Sequence, residues 1–334
     1  MTTTATGHDL PTLDQIRATA TALAPYVSRT PVHRWQGPEL AGFLGDSEVW
    51  LKLELFQQSG SFKARGVVAN LLAMTPDERR RGVTAMSAGN HAIAVAWATQ
   101  RFGIHAKVVM QASANPARVA LARAFGAEVL IAADGPTGFA LAEQIARDEG
   151  RLFIHPFAGP LTAIGTASVG LEFCEQAPEL DAVLIAIGGG GLAGGAARAI
   201  KLLWPGCRVY GVEPEGADSM FRSFAAGSAQ RLDKVQTIAD SLGPPMAVPH
   251  TYELCRASVD TIVRVSDDEI CAAMALLFRE MKLAVEPAGA ATTAALRDHL
   301  ADELRGQRVG LVVCGANIDI DSFHAFVRRG QGAG

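Results

Sequence analysis

The chain has 334 residues, 49% of them hydrophobic and 19% charged, which excludes a disordered polypeptide and is long enough for two lobes with separate cores. Its 34 acidic and 30 basic residues leave a formal net charge of −4 with no basic run, so neither nucleic acid nor an anionic membrane is an expected partner. No stretch reaches the roughly 20 apolar residues of a membrane helix, and MTTTATGHDL lacks the basic-then-apolar order of a signal peptide, so a soluble cytoplasmic protein is expected.

In chain order, the first ten residues read as a loose tail. In ELFQQSGSFKARG, residues 54–66, Ser61 is placed to cap a helix starting near Phe62, which puts Lys63 in its first turn. From about Val83 short apolar runs alternate with amphipathic segments. AKVVM at 106–110 reads as a strand and NPARVALARAFG as a helix ended by Gly126; EVLIAA at 128–133 reads as a strand, and the helix after it has Pro136 in its first turn. RLFIH at 151–155, AVLIAI at 182–187, RVYGVEP at 208–214 and RVGLVVC at 308–314 complete the strands. Continuous apolar strands separated by helices predict parallel sheets covered on both faces. GQGAG at the end reads as a second loose tail. The five cysteines, Cys174, Cys207, Cys255, Cys271 and Cys314, show neither C-x-x-C pairs nor zinc-ligand spacing, so reduced thiols are expected.

Three segments carry chemistry. A lysine at a helix start is ordinarily a solvated charge, but Lys63 lies between Phe62 and small residues, where partial burial lowers an amine's pKa and frees it to attack a carbonyl. Ser87-Ala88-Gly89-Asn90-His91 precedes an apolar helix, so its amides point outward at a helix N-terminus that suits a carboxylate or phosphate; a simple cap with a turn glycine is the plainer reading. In AVLIAIGGGGLAGG a strand runs into Gly188, Gly189, Gly190 and Gly191 ahead of a helix. Four glycines in a row cost conformational entropy, which favours a phosphate ligand over a purely structural loop. Gly189, Gly191 and Gly194 also satisfy G-x-G-x-x-G, with Glu213 where a ribose-binding acid falls, so a nicotinamide-nucleotide reductase stays open at this point. That reading gives SGSFKARG no task.

Together these segments resemble the fold-type II pyridoxal-phosphate enzymes, and within them the threonine and serine dehydratases and serine racemases. The resemblance rests on RTP at 29–31, SGSFKARG, SAGNH, GGGGL, TIAD at 237–240, EPAGA at 286–290 and VCGAN at 313–317, in the family's order over nearly the whole chain. It implies two open parallel-sheet α/β lobes with pyridoxal 5′-phosphate between them: a large unit of residues 1–81 and 158–334, and a small unit of 82–157 carrying SAGNH. It further implies that Lys63 is the Schiff-base lysine and the base for the Cα proton, and that Phe62 lies against the cofactor ring. Asn90 is implied at the phenolic oxygen, Gly188 to Gly191 and Leu192 around the phosphate, and Cys314 opposite the pyridine nitrogen. The loop Ser87, Ala88, Gly89, Asn90, His91 is implied to receive the substrate carboxylate through the amides of Ser87, Asn90 and His91, and a homodimer is typical of the family.

The implied activity is dehydration and deamination of a small-molecule β-hydroxy amino acid, of threonine or serine type, to a 2-oxo acid and ammonia. A thiol at Cys314 cannot hold a full proton on the ring nitrogen as an aspartate would, which favours prompt loss of the β-substituent. In racemases that resemble this chain a serine supplies the second base where Ala88 stands; alanine has no proton to give, so racemisation is the second choice. LTAIGTASVGLE at 161–172, Ser241 and Ile93 depart from the family pattern and are expected to reshape the substrate pocket, which leaves a bulkier or aromatic substrate open. Many relatives bind a divalent cation through a glutamate, a carbonyl and an aspartate. Here Glu213 and Ala217 are kept while Ser219 takes the second carboxylate's place, a poorer cage for a hard cation, and a helix cap is the plainer task for Glu213. Glu286 is expected near the ring. The chain ends about 15 residues after Asp319, so no effector domain is expected. A protein that binds the cofactor without turnover is the third alternative.

Overall fold

The computed structural model describes residues 10–332, so the tail expected at residues 1–9 and the last two residues lie outside the described residues. The chain opens with α1 (Leu13–Leu23), β1 (Val32–Trp35), α2 (Pro38–Leu44), β2 (Glu48–Leu53), α3 (Lys63–Leu72) and α4 (Pro76–Arg81). There follow β3 (Val83–Met86), α5 (Asn90–Phe102), β4 (Ala106–Gln111), α6 (Pro116–Ala124), β5 (Glu128–Ala132), α7 (Gly135–Glu149) and β6 (Leu152–Phe153). The remainder comprises α8 (Pro160–Gln176), β7 (Ala182–Ala186), α9 (Gly191–Leu203), β8 (Arg208–Pro214), α10 (Ser219–Ala226) and α11 (Pro249–Arg256). The chain then forms β9 (Thr261–Val265), α12 (Asp267–Met281), α13 (Pro287–Asp298), β10 (Arg308–Val313) and α14 (Ile320–Gln331).

The strands form two sheets, one of order β1-β2-β10-β7-β8-β9 and one of order β5-β4-β3-β6. Every pairing is parallel except β1 with β2, where Val32 faces Lys52 in antiparallel register. β7 and β10 are buried throughout apart from Arg308, as their continuous apolar sequences require. Three strands lack that signal. β1 is a short edge strand with His33 and Arg34 exposed, β2 carries Glu48 and Lys52, and β9 carries Thr261 and Arg264. RLFIH shrinks to a two-residue strand in which Leu152 and Phe153 pair with Val83 and Thr84 of β3, and the Ile154 amide donates to the Thr84 carbonyl just past its end. The final tail is shorter than expected: Gly330 and Gln331 complete α14.

The Ser61 cap does not form. Phe62, in the αR region, is the cap residue of α3 and receives no side-chain hydrogen bond, while Ser61 makes an isolated bridge to Gly315 and its buried hydroxyl has no partner. Lys63 still opens the helix.

One core fills the larger sheet and its helices. A second joins β3 and β4 to α5 and also takes in Val67, Val68 and Leu71 of α3, so α3 packs against both halves of the molecule. Helices α8 and α9 cross through small residues. A Cβ on Gly170 would overlap the Ala196 carbonyl, and the Thr166 hydroxyl donates to the carbonyl of Gly191 at 2.7 Å, which ties α8 to the first residue of α9.

Gly170→Ala is therefore expected to destabilise the fold by about 2 kcal/mol through overpacking, whereas Gly42→Ala, in α2 with open space around its Cα, should stabilise it by about 0.5–1 kcal/mol. Thermal unfolding of the two variants checks the pair; equal shifts would contradict the close crossing.

Candidate active site

Four helices begin at one cavity. α5 starts after the end of β3, α9 after the end of β7, and α3 and α13 present their first turns alongside. Ligands in open α/β sheets gather at such strand ends, where orphan amides and helix dipoles face inward. The cavity holds about 520 Å³, the size of a small-molecule site. It is lined by Phe62, Lys63, the whole 87–91 loop, Gly188 to Leu192, Glu286 and Cys314, so residues from five distant segments converge there.

Lys63 donates to the Pro156 carbonyl, and its Nζ lies 5.0 Å from the centre of the Phe62 ring. Burial pulls its pKa down to about 8 against the pull of Cys314 and Glu286 in the other direction, so a neutral amine is accessible near neutrality. Two residues on, Arg65 turns to the opposite side of α3 and forms ion pairs with Glu54 and Glu172, both at 2.7 Å.

In the 87–91 loop one expected donor is absent. The amide of Ser87 bonds to the Val109 carbonyl at 3.1 Å as part of the sheet, and the amide of Gly89 bonds to the Ser87 hydroxyl at 3.1 Å. A carboxylate here is left with the amides of Asn90 and His91 in the first turn of α5. His91 places Nε2 2.8 Å from the Ile154 carbonyl, and burial first, then the Lys63 charge, lowers its pKa to about 3. It stays neutral, with the proton on Nε2.

The Asn90 amide is fixed at both ends. Its Oδ1 accepts from Asn317 Nδ2 at 2.7 Å, and its Nδ2 donates to Glu286 at 2.6 Å and to Ser241 at 3.2 Å. Glu286 stands at the N-cap position of α13 deep in the protein, with its carboxylate turned to Asn90 and Arg118 rather than to the helix amides. Burial outweighs the neighbouring Arg118 and raises its pKa to about 7. Burial also raises the Cys314 pKa, so this residue remains a thiol.

The glycine loop is crowded from outside. Gly190 has φ 88°, and a Cβ there would meet Met220 at 2.7 Å; at Gly189 it would run into the Phe157 ring. No side chain fits, so the backbone amides at the start of α9 face the cavity as an anion cradle. Glu213, the candidate ribose-binding acid, is buried elsewhere: its oxygens accept the amides of Met220 and Phe221 at 2.9 and 2.7 Å. That removes the support for a nucleotide reductase.

The same geometry bears on the cation ligands expected at Glu213 and Ala217. Burial raises the Glu213 pKa to about 8, and Asp218 pairs with Arg222 and Arg264 at 2.8 and 3.1 Å. Among the described residues no three His, Cys, Asp or Glu side chains stand together to hold a metal. Glu213 serves as a helix cap, and these residues do not fit a cation cage.

Several lining residues were not foreseen. Phe139, His155 and Phe157 form an aromatic wall, with His155 5.8 Å from Phe139 and 4.5 Å from Phe157 between ring centres; Met86 and Pro136 extend it. His155 Nδ1 accepts the amide of Ala158 at 2.9 Å, and burial lowers its pKa to about 4. Arg118 also lines the cavity. Of the departures expected to shape the pocket, Thr162, Thr166 and Ser241 line it, whereas Ile93 is buried inside α5 and does not. No helix among the described residues is long and apolar enough to cross a membrane.

Comparison with known proteins places these features. Residues 23–315 match the family model described as "Pyridoxal-phosphate dependent enzyme". Phenylserine dehydratase of Ralstonia pickettii is 52% identical over 314 residues, covering 94% of this chain and 95% of that protein. Serine racemase of Schizosaccharomyces pombe is 33% identical over 321 residues, covering 96% and 98%. Among solved structures, maize serine racemase superposes with a TM-score of 0.88 at 32% identity, covering 97% of this chain and 99% of that one.

The lowered pKa of Lys63 has a direct readout. The neutral fraction of this amine should rise with pH through about 8 and then level off, while exposed lysines keep gaining reactivity to roughly pH 10.4. Reductive methylation of the cofactor-free protein, followed by peptide mass spectrometry across pH, checks this; a Lys63 profile that matches the exposed lysines would contradict the burial argument.

Proposed function

The chain belongs to the pyridoxal-phosphate dependent enzyme family and is a hydroxy-amino-acid ammonia-lyase, and from that premise we propose that its substrate is a β-hydroxy amino acid with an aromatic β-substituent, as in phenylserine. The observation that carries the choice is the aromatic wall of Phe139, His155 and Phe157 on the cavity. A ring set against such a wall gains offset or edge contacts that a methyl group cannot make, each worth about 0.5–1.5 kcal/mol beyond its buried area. The 52% identity to a phenylserine dehydratase supports the same reading.

The site fits pyridoxal phosphate. A cradle that admits no Cβ faces an anion, a lysine of lowered pKa stands ready for the aldehyde, and a neutral thiol at Cys314 suits an unprotonated pyridine nitrogen. Gly188 to Gly191 and Leu192 would hold the phosphate, Phe62 would pack on the ring, and Asn90 would meet the phenolic oxygen. Bound there, the cofactor supplies an electron sink that acidifies the Cα–H of an amino acid.

The chain's own residues then divide the work. The first-turn amides of Asn90 and His91, with the Ser87 hydroxyl and the space left by Ala88 and Gly89, receive the substrate carboxylate. Lys63, whose lowered pKa makes its neutral form available near pH 8, takes the Cα proton on its own side. Ala88 can return no proton from the other, so loss of the β-hydroxyl prevails over inversion at Cα. Neutral His91 holds the 154–157 segment and adds no competing cation.

We propose that residues 82–157, which contain all four strands of the smaller sheet, form the small unit and the rest the large one. Closure of the small unit over a bound carboxylate keeps water from the site. A cytoplasmic homodimer is proposed as the working form.

Two measurements test this reading. The loaded enzyme should release 2-oxo acid and ammonia from phenylserine with a kcat/KM at least tenfold above that for threonine, and Phe139→Ala should close most of that gap, since a lost ring contact of about 1.4 kcal/mol is a factor of ten. A preference for threonine that Phe139→Ala leaves untouched would overturn the aromatic assignment. Ala88→Ser should introduce detectable Cα inversion of serine, followed by chiral chromatography; its absence would show that Ala88 is not the residue suppressing racemisation.

A further inference from the structure

Arg118 is the third residue of α6, a position where an arginine is ordinarily a solvated helix charge. Here its side chain is only 7% exposed. It runs past the substrate loop so closely that a Cβ on Gly89 would come within 2.7 Å of its Nη1. Its donors then leave the smaller sheet's territory. Nε bonds to the Asn317 carbonyl at 2.7 Å, Nη1 to Asp240 at 2.5 Å, and Nη2 reaches Glu286 at 3.4 Å.

The same residues hold Asn90. Asn317 gives its carbonyl to Arg118 and its amide to Asn90; Glu286 gives one oxygen to each; and Asp240 precedes Ser241, the third partner of Asn90. The guanidinium packs beside Gly89 and binds the same residues that hold the Asn90 side chain, so it acts on the loop through those shared partners. Lysine could not serve all three acceptors, because they lie in different directions and only a planar fork of five N–H groups addresses them together. Burying the cation is costly, and Glu286 and Asp240 offset that cost only while the two sheets stay in register.

We propose that Arg118 is a positioning residue: it tethers the 87–91 loop to the larger sheet's side of the cavity and sets the register of the loop's carboxylate-binding amides and of Asn90 against Lys63. The assignment rests on the proposed function only for the identity of the loop's ligand. The tether itself is a property of the free enzyme.

The test uses the cofactor-loaded protein and three variants. Arg118→Met should lower kcat/KM about 100-fold, the scale of a misplacement near 1 Å, with KM raised and kcat lowered together. The absorbance maximum of the bound cofactor should shift as Asn90 loses its fixed place. Arg118→Lys, which keeps the charge without the fork, should recover only part of this. Asp240→Asn removes the half-exposed anchor and should cost about tenfold alone but less than twofold in the Arg118→Met background, because the two lie on one link. Hydrogen exchange at 87–91 should quicken in all three without substrate, while β7 and β10 stay protected. Additive losses for Arg118 and Asp240, or unchanged exchange at the loop, would overturn the proposal. Should Arg118→Met fail to fold, Arg118→Lys and Asp240→Asn carry the exchange test unchanged. A wild-type enzyme that releases no 2-oxo acid from any β-hydroxy amino acid sinks the functional reading alone, since the exchange comparison needs no substrate.

Discussion

The ion pairs of Arg65 fix the first turn of α3, and the site is built outward from that turn. Arg65 and Glu54 are fully buried, the guanidinium also meets Glu172, Lys52 joins Glu172 at 2.7 Å, and the Thr30 hydroxyl donates to Glu54. A network this dry adds little net stability over apolar packing, but losing one partner would strand a charge at a cost of about 3–5 kcal/mol. It therefore specifies a position strongly. Lys63, two residues earlier and about 200° around the helix, shares that rigid turn yet faces the cavity, where it donates to the Pro156 carbonyl and forms no ion pair among the described residues. Two cations on one turn are thus driven in opposite directions. Carboxylates raise the pKa of Arg65, and burial lowers that of Lys63.

The other parts of the site follow from where helices start. The first turns of α5 and α9 offer amides to an anion, and the start of α13 holds Glu286, a carboxylate at the favoured end of a helix dipole. The glycine run lets α9 begin directly against Phe157 and Met220, while Thr166 pins its first carbonyl. Fixed backbone dipoles of this kind need no reorganisation when charge arrives, which explains why so few charged side chains are spent on ligands. Three of the charged side chains that line the cavity, Arg118, Asp240 and Glu286, are occupied with one another and with Asn90.

What the sequence made legible was local. The four-glycine loop, the helix start at Lys63 and the SAGNH turn each announce themselves within a few residues, and the apolar strands β7 and β10 carry their burial in their composition. What stayed hidden depends on partners far along the chain. Arg118 reads as a surface cation in α6 because its acceptors lie more than 120 residues away. The aromatic wall is invisible because Phe139 sits in an ordinary amphipathic helix, and only the fold brings His155 beside it. β2 escaped notice because Lys52 breaks its apolar run, a lysine tolerated only because Glu172 and Gln176 wait for it. Ser61 and Ser87 show the converse failure: each has the right residue type for a cap or an anion site, yet the backbone assigns Ser61 to a bridge with Gly315 and the Ser87 amide to the Val109 carbonyl.

In the function proposed above, the choice between elimination and inversion lies in an asymmetry of proton donors around Cα. On one side Lys63 can take a proton and give it back. On the other, the loop offers Ala88, whose methyl group can do neither, and the nearest imidazoles, His91 and His155, are held neutral by burial, each with one ring nitrogen already engaged. The Cys314 thiol is neutral as well, so no strong acid stands at the far end of the cavity. With no proton supplied from the second face, Cα would not be reprotonated there, while Lys63, once it has taken the Cα proton, would be the acid that lets the β-hydroxyl leave as water. In the proposed function, selectivity for the reaction and selectivity for the substrate draw on one cavity, which the helix starts and the Phe139, His155 and Phe157 wall line together.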